Sequence, residues 1–377
     1  MINFRKKAVA MLLATVFTAG MLSGCGTSVD TEKSKNDSRK AVEQTTQAEA
    51  DTNSKTQNEE DKSESRDIFA MDTYMTLTAY GKNAKKALDE AVDEINNIEQ
   101  LVSTGIDSSE VSQINKNGKG SVSETSETTG YLIKRSKEIY DSTNGVFDIT
   151  IYPIMQAWGF PTENYRVPGK KELKKLRGLM GADHVLYDEK KQEVTLNKEG
   201  MKIDLGGIAK GYTSSKVMDI FKENGISSAV ISLGGNVQTL NGKPDGSDWR
   251  VAVENPADTG SYIGVLSIKD KAVITSGGYE RYFKQDGKTY HHIIDPANGY
   301  PANNGLTSVT IVSDDGTLAD GLSTSLFIMG PEKAQKYWKE HSDEFDTILV
   351  KDDGSILVSE GLAEYFTSES DFTIIKK

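Results

Sequence analysis

The sequence predicts an α+β fold, one large domain of mixed sheets and helices, on three observations. Amphipathic helical stretches are separated by short apolar or alternating runs bounded by Gly, Pro and Asn turns. Strand-like runs crowd the second half instead of alternating regularly with helices. No internal repeat and no linker-like segment divides the chain from about residue 67 to residue 377.

The elements follow in order. "IFAMDTYMTLTAYG" alternates in strand fashion and feeds "NAKKALDEAVDEINNIEQLVS", where Ala84, Leu88, Ala91, Ile95, Ile98 and Val102 recur at helical spacing. "TGYLIKRSKEIYDSTNG" is a second helix, stopped by Asn144-Gly145. "EVTLNKEGMKIDLGG" reads as a hairpin, "IAKGYTSSKVMDIFKENG" as a helix closed by Gly225, and "SSAVISLGGNVQTLNG" as strands about a glycine pair. "DWRVAVENP", "GVLSIKDKAVITSGG", "TYHHIIDP" and "LTSVTIVS" are strands. "TLADGLSTSLFIMG" and "PEKAQKYWKEH" are helices, and "FDTILVKDDGSILVSEG" closes as a hairpin about Asp-Asp-Gly.

The N-terminal portion lies outside this domain. Residues 1–24 carry Arg5, Lys6 and Lys7 and then an apolar run from Ala8 to Leu22, shorter than the ~20 residues of a spanning helix, which reads as a cleaved signal peptide. Its end, "LSGC", is similar to the site recognised by bacterial lipoprotein processing, with Cys25 as the lipidated residue. Cys25 is also the one cysteine of the chain, so neither a disulfide framework nor a cysteine metal site is available. From residue 25 to 66 the composition is Ser, Thr, Asn, Gln, Lys and Glu, with too little apolar surface to offset ordering entropy. This is a disordered tether whose reach is roughly 35 Å on flexible-chain statistics. The expected location is the outer face of the cell membrane, held by lipid. The formal net charge of −12 becomes −15 once the three basic residues leave with the signal, which argues against nucleic acid and against adsorption to anionic lipid.

Several segments carry chemistry. If "TYHHIID" is extended, His291 and His292 leave opposite faces and cannot both bind one metal ion. "DLGGIAKG" places Asp204 before a glycine turn and Lys210 on the first turn of a helix, a setting that suits a phosphate and is also that of an ordinary tight turn. In "ADGLSTSL", Asp320 and Thr324 share one helical face, where their oxygens suit magnesium better than zinc, or serve only capping and solvation. "VFDITIYPIMQAWGF" offers Asp148 and Trp158 for a flat heterocycle or for the core, and Ser276-Gly277-Gly278 forms a further glycine cluster.

Taken in order, "AMDTYM", "GVFDIT", "IDLGGIAKGY", "SLGGN", "ITSGGYERYF", "HHIIDPANGYP" and "ADGLSTSLFIMG" resemble the ApbE family, the FAD:protein FMN transferases, over nearly all of residues 68–377. The resemblance implies a two-lobed α+β domain around an FAD site, commonly lipid-anchored. It implies Mg2+-assisted transfer of FMN from FAD to a Thr or Ser hydroxyl of an acceptor flavoprotein, with release of AMP. On its motifs the cation falls to Gly207, Asp320 and Thr324, FAD to Met71, Val146, Phe147, Asp148, Asp204, Lys210 and Ile294, and proton transfer to His292, an imidazole near its usual pKa. The same site would serve water, giving an FAD pyrophosphatase, and a lipid-anchored flavin carrier would need neither His292 nor the Asp320 and Thr324 pair. Two positions depart from the family pattern: Asp72 stands where glycine is usual, and Gly105 where an aromatic is usual.

Overall fold

The computed structural model describes residues 62–377; the signal peptide, Cys25 and most of the tether lie outside the described residues. In chain order the elements are β1 (Ser63–Ala70), β2 (Thr73–Tyr80), α1 (Ala84–Val102), α2 (Glu110–Asn117), β3 (Val122–Glu124), α3 (Glu127–Ser142), α4 (Tyr152–Trp158), α5 (Lys170–Arg177), β4 (Val185–Asp188) and β5 (Glu193–Leu196). Then come α6 (Ala209–Glu223), β6 (Ser228–Leu233), β7 (Asn236–Leu240), β8 (Trp249–Asn255), β9 (Asp258–Ile268), β10 (Ala272–Gly277), β11 (Tyr282–Gln285) and β12 (Lys288–His291). The last are β13 (Leu306–Ser313), α7 (Gly316–Met329), α8 (Pro331–Glu340), β14 (Asp346–Lys351), β15 (Ile356–Ser359), β16 (Phe366–Thr367) and β17 (Phe372–Ile375).

A nine-stranded sheet in the order β1-β2-β6-β7-β10-β13-β14-β15-β17 organises the domain. All its pairings are antiparallel except β15 with β17. Helices α1, α6 and α7 cover one face. The apolar positions of α1 named above are all buried; Ala84, Leu88, Ala91 and Ile95 pack in one cluster with Met75 and Leu77 of β2 and Val217 and Phe221 of α6, and Ile98 and Val102 in the cluster around α7. The small sheet β16-β9-β8 packs on the other face, where Val251, Val253 and Leu266 meet Val273, Val312 and Ile348. Mixed α+β architecture is thus what the sequence led one to expect.

Four expectations about individual elements are corrected. The opening run is a hairpin, not one strand: β1 and β2 are joined by Met71 and Asp72, both in the left-handed region at φ 50° and 60°. The hairpin also takes in residues 63–66, assigned by composition to the tether, because strand pairing with β2 lets polar residues sit on an edge strand. "MKIDL" does not pair with β5. Ile203 instead exchanges both backbone bonds with one side chain, donating to Asn115 Oδ1 at 2.7 Å and accepting from Asn115 Nδ2 at 2.8 Å. Finally, the strand through the histidine pair stops at His291, and β16 and β17 extend the chain beyond its expected last hairpin.

Candidate active site

The glycine turn and the late helix meet along the α6–α7 seam, which holds backbone against backbone. A Cβ placed on Gly211 would lie 2.1 Å from the carbonyl oxygen of Gly316, so only glycine allows this approach. The closeness has a chemical result. Gly211 N–H, whose ordinary helical acceptor is the carbonyl of Gly207, donates instead to Asp320 Oδ2 at 2.8 Å. The Gly207 carbonyl is thereby left without a backbone donor among the described residues. Asp320 is 4% exposed and its second oxygen meets no hydrogen-bond donor among the described residues. One turn on, Thr324 is, with Met329, one of two residues of α7 that are not buried, and its hydroxyl lies 3.3 Å from Ser276 Oγ. The Phe147 ring packs against both segments, since it would lie 3.3 Å from a Cβ on Gly207 and 3.7 Å from one on Gly321.

The start of α6 has no cap of its own, since its N-cap is Ile208 and no acidic residue occupies the first turn, so the carboxylate at this helix end is that of Asp320. Lys210 acts electrostatically on Asp204, Glu280 and His292, and Arg281 acts on Asp204 and His292, which places two cations among these groups. Neither cation forms a salt bridge among the described residues. Asp204 shapes the turn itself, accepting from Gly206 N–H at 2.8 Å, and desolvation by the surrounding protein raises its pKa. Glu280 keeps an accessible face, yet the protein packed about its carboxyl removes most solvation and pushes its pKa up to about 7 against the opposing pull of Lys210.

The two histidines part as their alternation requires. His291 packs against Phe327 of α7, with Nε2 at 2.9 Å from the Ala302 carbonyl and Nδ1 accepting from Ile293 N–H at 3.3 Å, so both nitrogens are committed. His292 turns to the other side, its ring 6.4 Å from that of Phe160. Its Nδ1 lies 3.2 Å from the Arg281 carbonyl. A carbonyl only accepts, so Nδ1 carries the proton and Nε2 presents a lone pair. The imidazole is not near its ordinary pKa as the sequence suggested: desolvation first, then the charge of Arg281, push it down to about 3.

The remaining predicted residues have mixed roles. Met71 lies between the two main apolar clusters, its N–H donating to Glu99 Oε1 at 2.9 Å. Val146 is half-buried beside Phe147. Asp148 is buried and its Oδ1 is taken by Thr150, from the backbone N–H at 2.8 Å and the hydroxyl at 2.6 Å. Ile294 is buried against Trp158 and Phe160. Trp158, offered as a heterocycle wall, is fully buried and donates to the Gly299 carbonyl at 2.8 Å; it belongs to the core. Gly277 and Gly278 are required by protein rings, since a Cβ would lie 2.3 Å from Tyr279 and 2.9 Å from His291. A surface hollow lined by Ser227, Asn241, Lys243 and Lys269 is separate from all of these.

The ApbE family model matches residues 71–349, a span that holds every one of these groups. The chain belongs to the ApbE family. Among its relatives, a protein of Klebsiella pneumoniae named FAD:protein FMN transferase is 37% identical over 229 residues, 60% of this chain and 70% of that one. One of the same name from Vibrio cholerae is 32% identical over 281 residues, 73% of this chain and 82% of the other. The fold agrees as well. The crystal structure of the ApbE protein of Thermotoga maritima superposes with a TM-score of 0.76 at 32% identity, covering 81% of this chain and 99% of that one. The apo flavinyl transferase ApbE of Pseudomonas stutzeri gives 0.74 at 27%, covering 82% and 98%.

Within this ApbE domain the α6–α7 seam brings the glycine turn of Asp204 and Gly207 to Asp320, Thr324 stands one turn along α7, and Lys210 acts electrostatically on both Asp204 and His292. Sequence reasoning passed over Arg281, Glu280 and Glu99. Arg281 and Glu280 stand inside a quoted motif, "ITSGGYERYF", but their charge becomes meaningful only when the fold brings Arg281 within electrostatic reach of His292 and Glu280 within that of Lys210. Glu99 lies on the polar face of an amphipathic helix and gave no signal.

Proposed function

We propose that this chain transfers FMN from FAD to a Thr or Ser hydroxyl of an acceptor protein, releasing AMP. The observation that carries this reading is the diverted Gly211 N–H: it frees the Gly207 carbonyl next to a buried carboxylate and one helical turn from an accessible hydroxyl. These three oxygen donors suit Mg2+. Held there, the ion would supply neutralisation of charge on the pyrophosphate oxygens.

The chain's own residues account for the rest. Lys210 and Arg281 bind the pyrophosphate and fix its orientation. The acceptor oxygen forms a bond to the FMN-side phosphorus while the bond from that phosphorus to the bridging oxygen breaks, and AMP leaves with that oxygen. The hydroxyl proton passes to His292 Nε2, whose lone pair is exposed by the bond at Nδ1. Met71 and the Val146–Phe147 stretch line the flavin side. Burial keeps competing water from much of this surface.

The N-terminal sequence supports a lipid anchor at Cys25 on the extracytoplasmic face, which directs the enzyme to membrane-associated or exported flavoproteins. One feature favours a share of hydrolysis: Gly105 is exposed in a turn and provides no ring on which the flavin could stack, a loss of about 1 kcal/mol. The test mixes the soluble domain, FAD, magnesium and an acceptor, and weighs the acceptor intact. A gain of one FMN with AMP in solution is expected. Free FMN beside unmodified acceptor would reassign the enzyme as a pyrophosphatase, and intact FAD whatever the magnesium would leave only a carrier.

A further inference from the structure

Three consecutive residues of α7, Ser323, Thr324 and Ser325, carry hydroxyls, and the helix consumes only two of them. Ser323 Oγ donates to the Asp320 carbonyl at 2.8 Å and Ser325 Oγ to the Gly321 carbonyl at 2.6 Å, the back-bonds that hydroxyl side chains make inside a helix. Thr324 makes no such bond among the described residues. Its hydroxyl instead meets Ser276 of β10 at 3.3 Å, and Ser276 Oγ lies 2.8 Å from Ser323 Oγ. The direction of each proton follows by counting. A hydroxyl has one proton to give and two lone pairs with which to accept. The Asp320 carbonyl only accepts, so the Ser323 proton is committed to it. Ser276 is therefore the donor toward Ser323, and with its proton spent there it can only accept from Thr324. The chain of donors runs from Thr324 through Ser276 and Ser323 to the backbone of Asp320, beginning on one residue assigned to the cation and ending on another. Ser323 is fully buried, which keeps water from replacing that link.

We propose that Ser276 is a positioning residue for the cation site: by accepting the Thr324 proton it holds that side chain out of a helical back-bond and leaves the lone pairs of Oγ1 for a divalent ion. The proposal rests on the reading that Gly207, Asp320 and Thr324 hold Mg2+. A hydroxyl coordinates a cation only through its oxygen, so its proton needs an acceptor on the side away from the ion, and Ser276 Oγ is that acceptor. Groups that hydrogen-bond to a metal's ligands fix their orientation and carry about 10- to 100-fold of its affinity. Without Ser276 the Thr324 proton can be satisfied only by water or by a carbonyl of its own helix, and the χ1 change that reaches such a carbonyl turns the oxygen away from the ion.

The first measurement needs no metal. In protein labelled at threonine methyls, the Thr324 signal is identified by its loss in Thr324→Val. Its couplings should report a single χ1 rotamer in the parent, a mixture in Ser276→Ala, and a single rotamer again in Ser276→Thr, which keeps the hydroxyl. The second measurement is the Mg2+ concentration that half-saturates FAD consumption. It should rise by about 10- to 100-fold in Ser276→Ala and return toward the parent value in Ser276→Thr. In a Thr324→Val background, which has no proton to hand on, Ser276→Ala should cost nothing further. An unmoved rotamer or an unmoved Mg2+ dependence in Ser276→Ala overturns the proposal, and so does a loss of equal size in both backgrounds. Parent-like Mg2+ dependence in Thr324→Val would remove the cation assignment and the proposal with it. Failure of FMN transfer is distinct from all of these, because it is scored on the parent protein by acceptor mass.

Discussion

Asp320 provides the sharpest test, because the structure separates its effect on folding from its effect on the cation. In Asp320→Asn the amide oxygen can still accept Gly211 N–H, so a charge-assisted bond becomes an ordinary one, a loss of about 1 kcal/mol. Removing a buried anion offsets part of that. The variant should therefore unfold within about 1 kcal/mol of the parent. Its cation site loses its one charged ligand, and magnesium affinity should fall by at least about 100-fold, since even removal of groups behind a metal's ligands costs 10- to 100-fold. Asp320→Ala should be worse for the metal. Without the carboxylate, Gly211 N–H can return to the Gly207 carbonyl, which satisfies the donor but occupies a second ligand. The assay measures FAD consumption against magnesium concentration, with thermal unfolding recorded alongside. An Asn variant with the parent's magnesium dependence and rate would refute the ligand assignment, and one that fails to fold would refute the reasoning about the seam.

Further expectations concern neighbouring groups. His292→Gln should slow acceptor modification by about 10²- to 10⁴-fold while leaving FAD affinity within a few-fold, checked by intact mass and equilibrium binding. The same ring links stability to pH. Its folded pKa is depressed to about 3 below an ordinary value near 6.5, so the unfolded chain takes up a proton first and stability is lost as pH falls below about 6.5. Because the ring is partly accessible, about 1 kcal/mol should be lost by pH 5, and denaturant unfolding of His292→Gln should lack that part. Gly211→Ala would force its Cβ to within 2.1 Å of Gly316 O, and the resulting separation of α6 from α7 should cost on the order of 2–4 kcal/mol in chemical unfolding and abolish turnover. Asp72→Gly replaces a residue held at φ 60° and should raise unfolding free energy by roughly 0.5–1 kcal/mol, visible as a small upward shift in Tm.

Where local periodicity and burial agree, the fold is legible from residues alone, as in α1, whose six spaced apolar side chains are all buried. It fails where a distant group replaces a regular partner. Asn115 takes the place of a neighbouring strand for Ile203 from 88 residues away, and no pattern near "MKIDL" could announce it. The Met71-Asp72 turn fails differently, because Met71 is not a residue that left-handed backbone normally selects and Asp72 lacks the glycine that would mark the turn. At the site, the motif residues were visible, but the diverted Gly211 bond that leaves the Gly207 carbonyl without a backbone donor among the described residues depends on packing between helices. The charge environment that depresses His292 was likewise invisible, since Lys210 and Arg281, 71 residues apart, act on the ring together only in the folded chain.

The bond from Gly211 to Asp320 spans 109 residues and closes only when both helices are in place. On the proposed assignment, nucleotide and cation would have nothing to grip on a chain that has made α6 but not yet α7, and whatever stability they confer would be reserved for finished molecules. A ligand bound this way acts as a quality mark. Cells short of flavin would carry more of this protein in protease-sensitive form, and the abundance of the enzyme would track the supply of the compound it consumes.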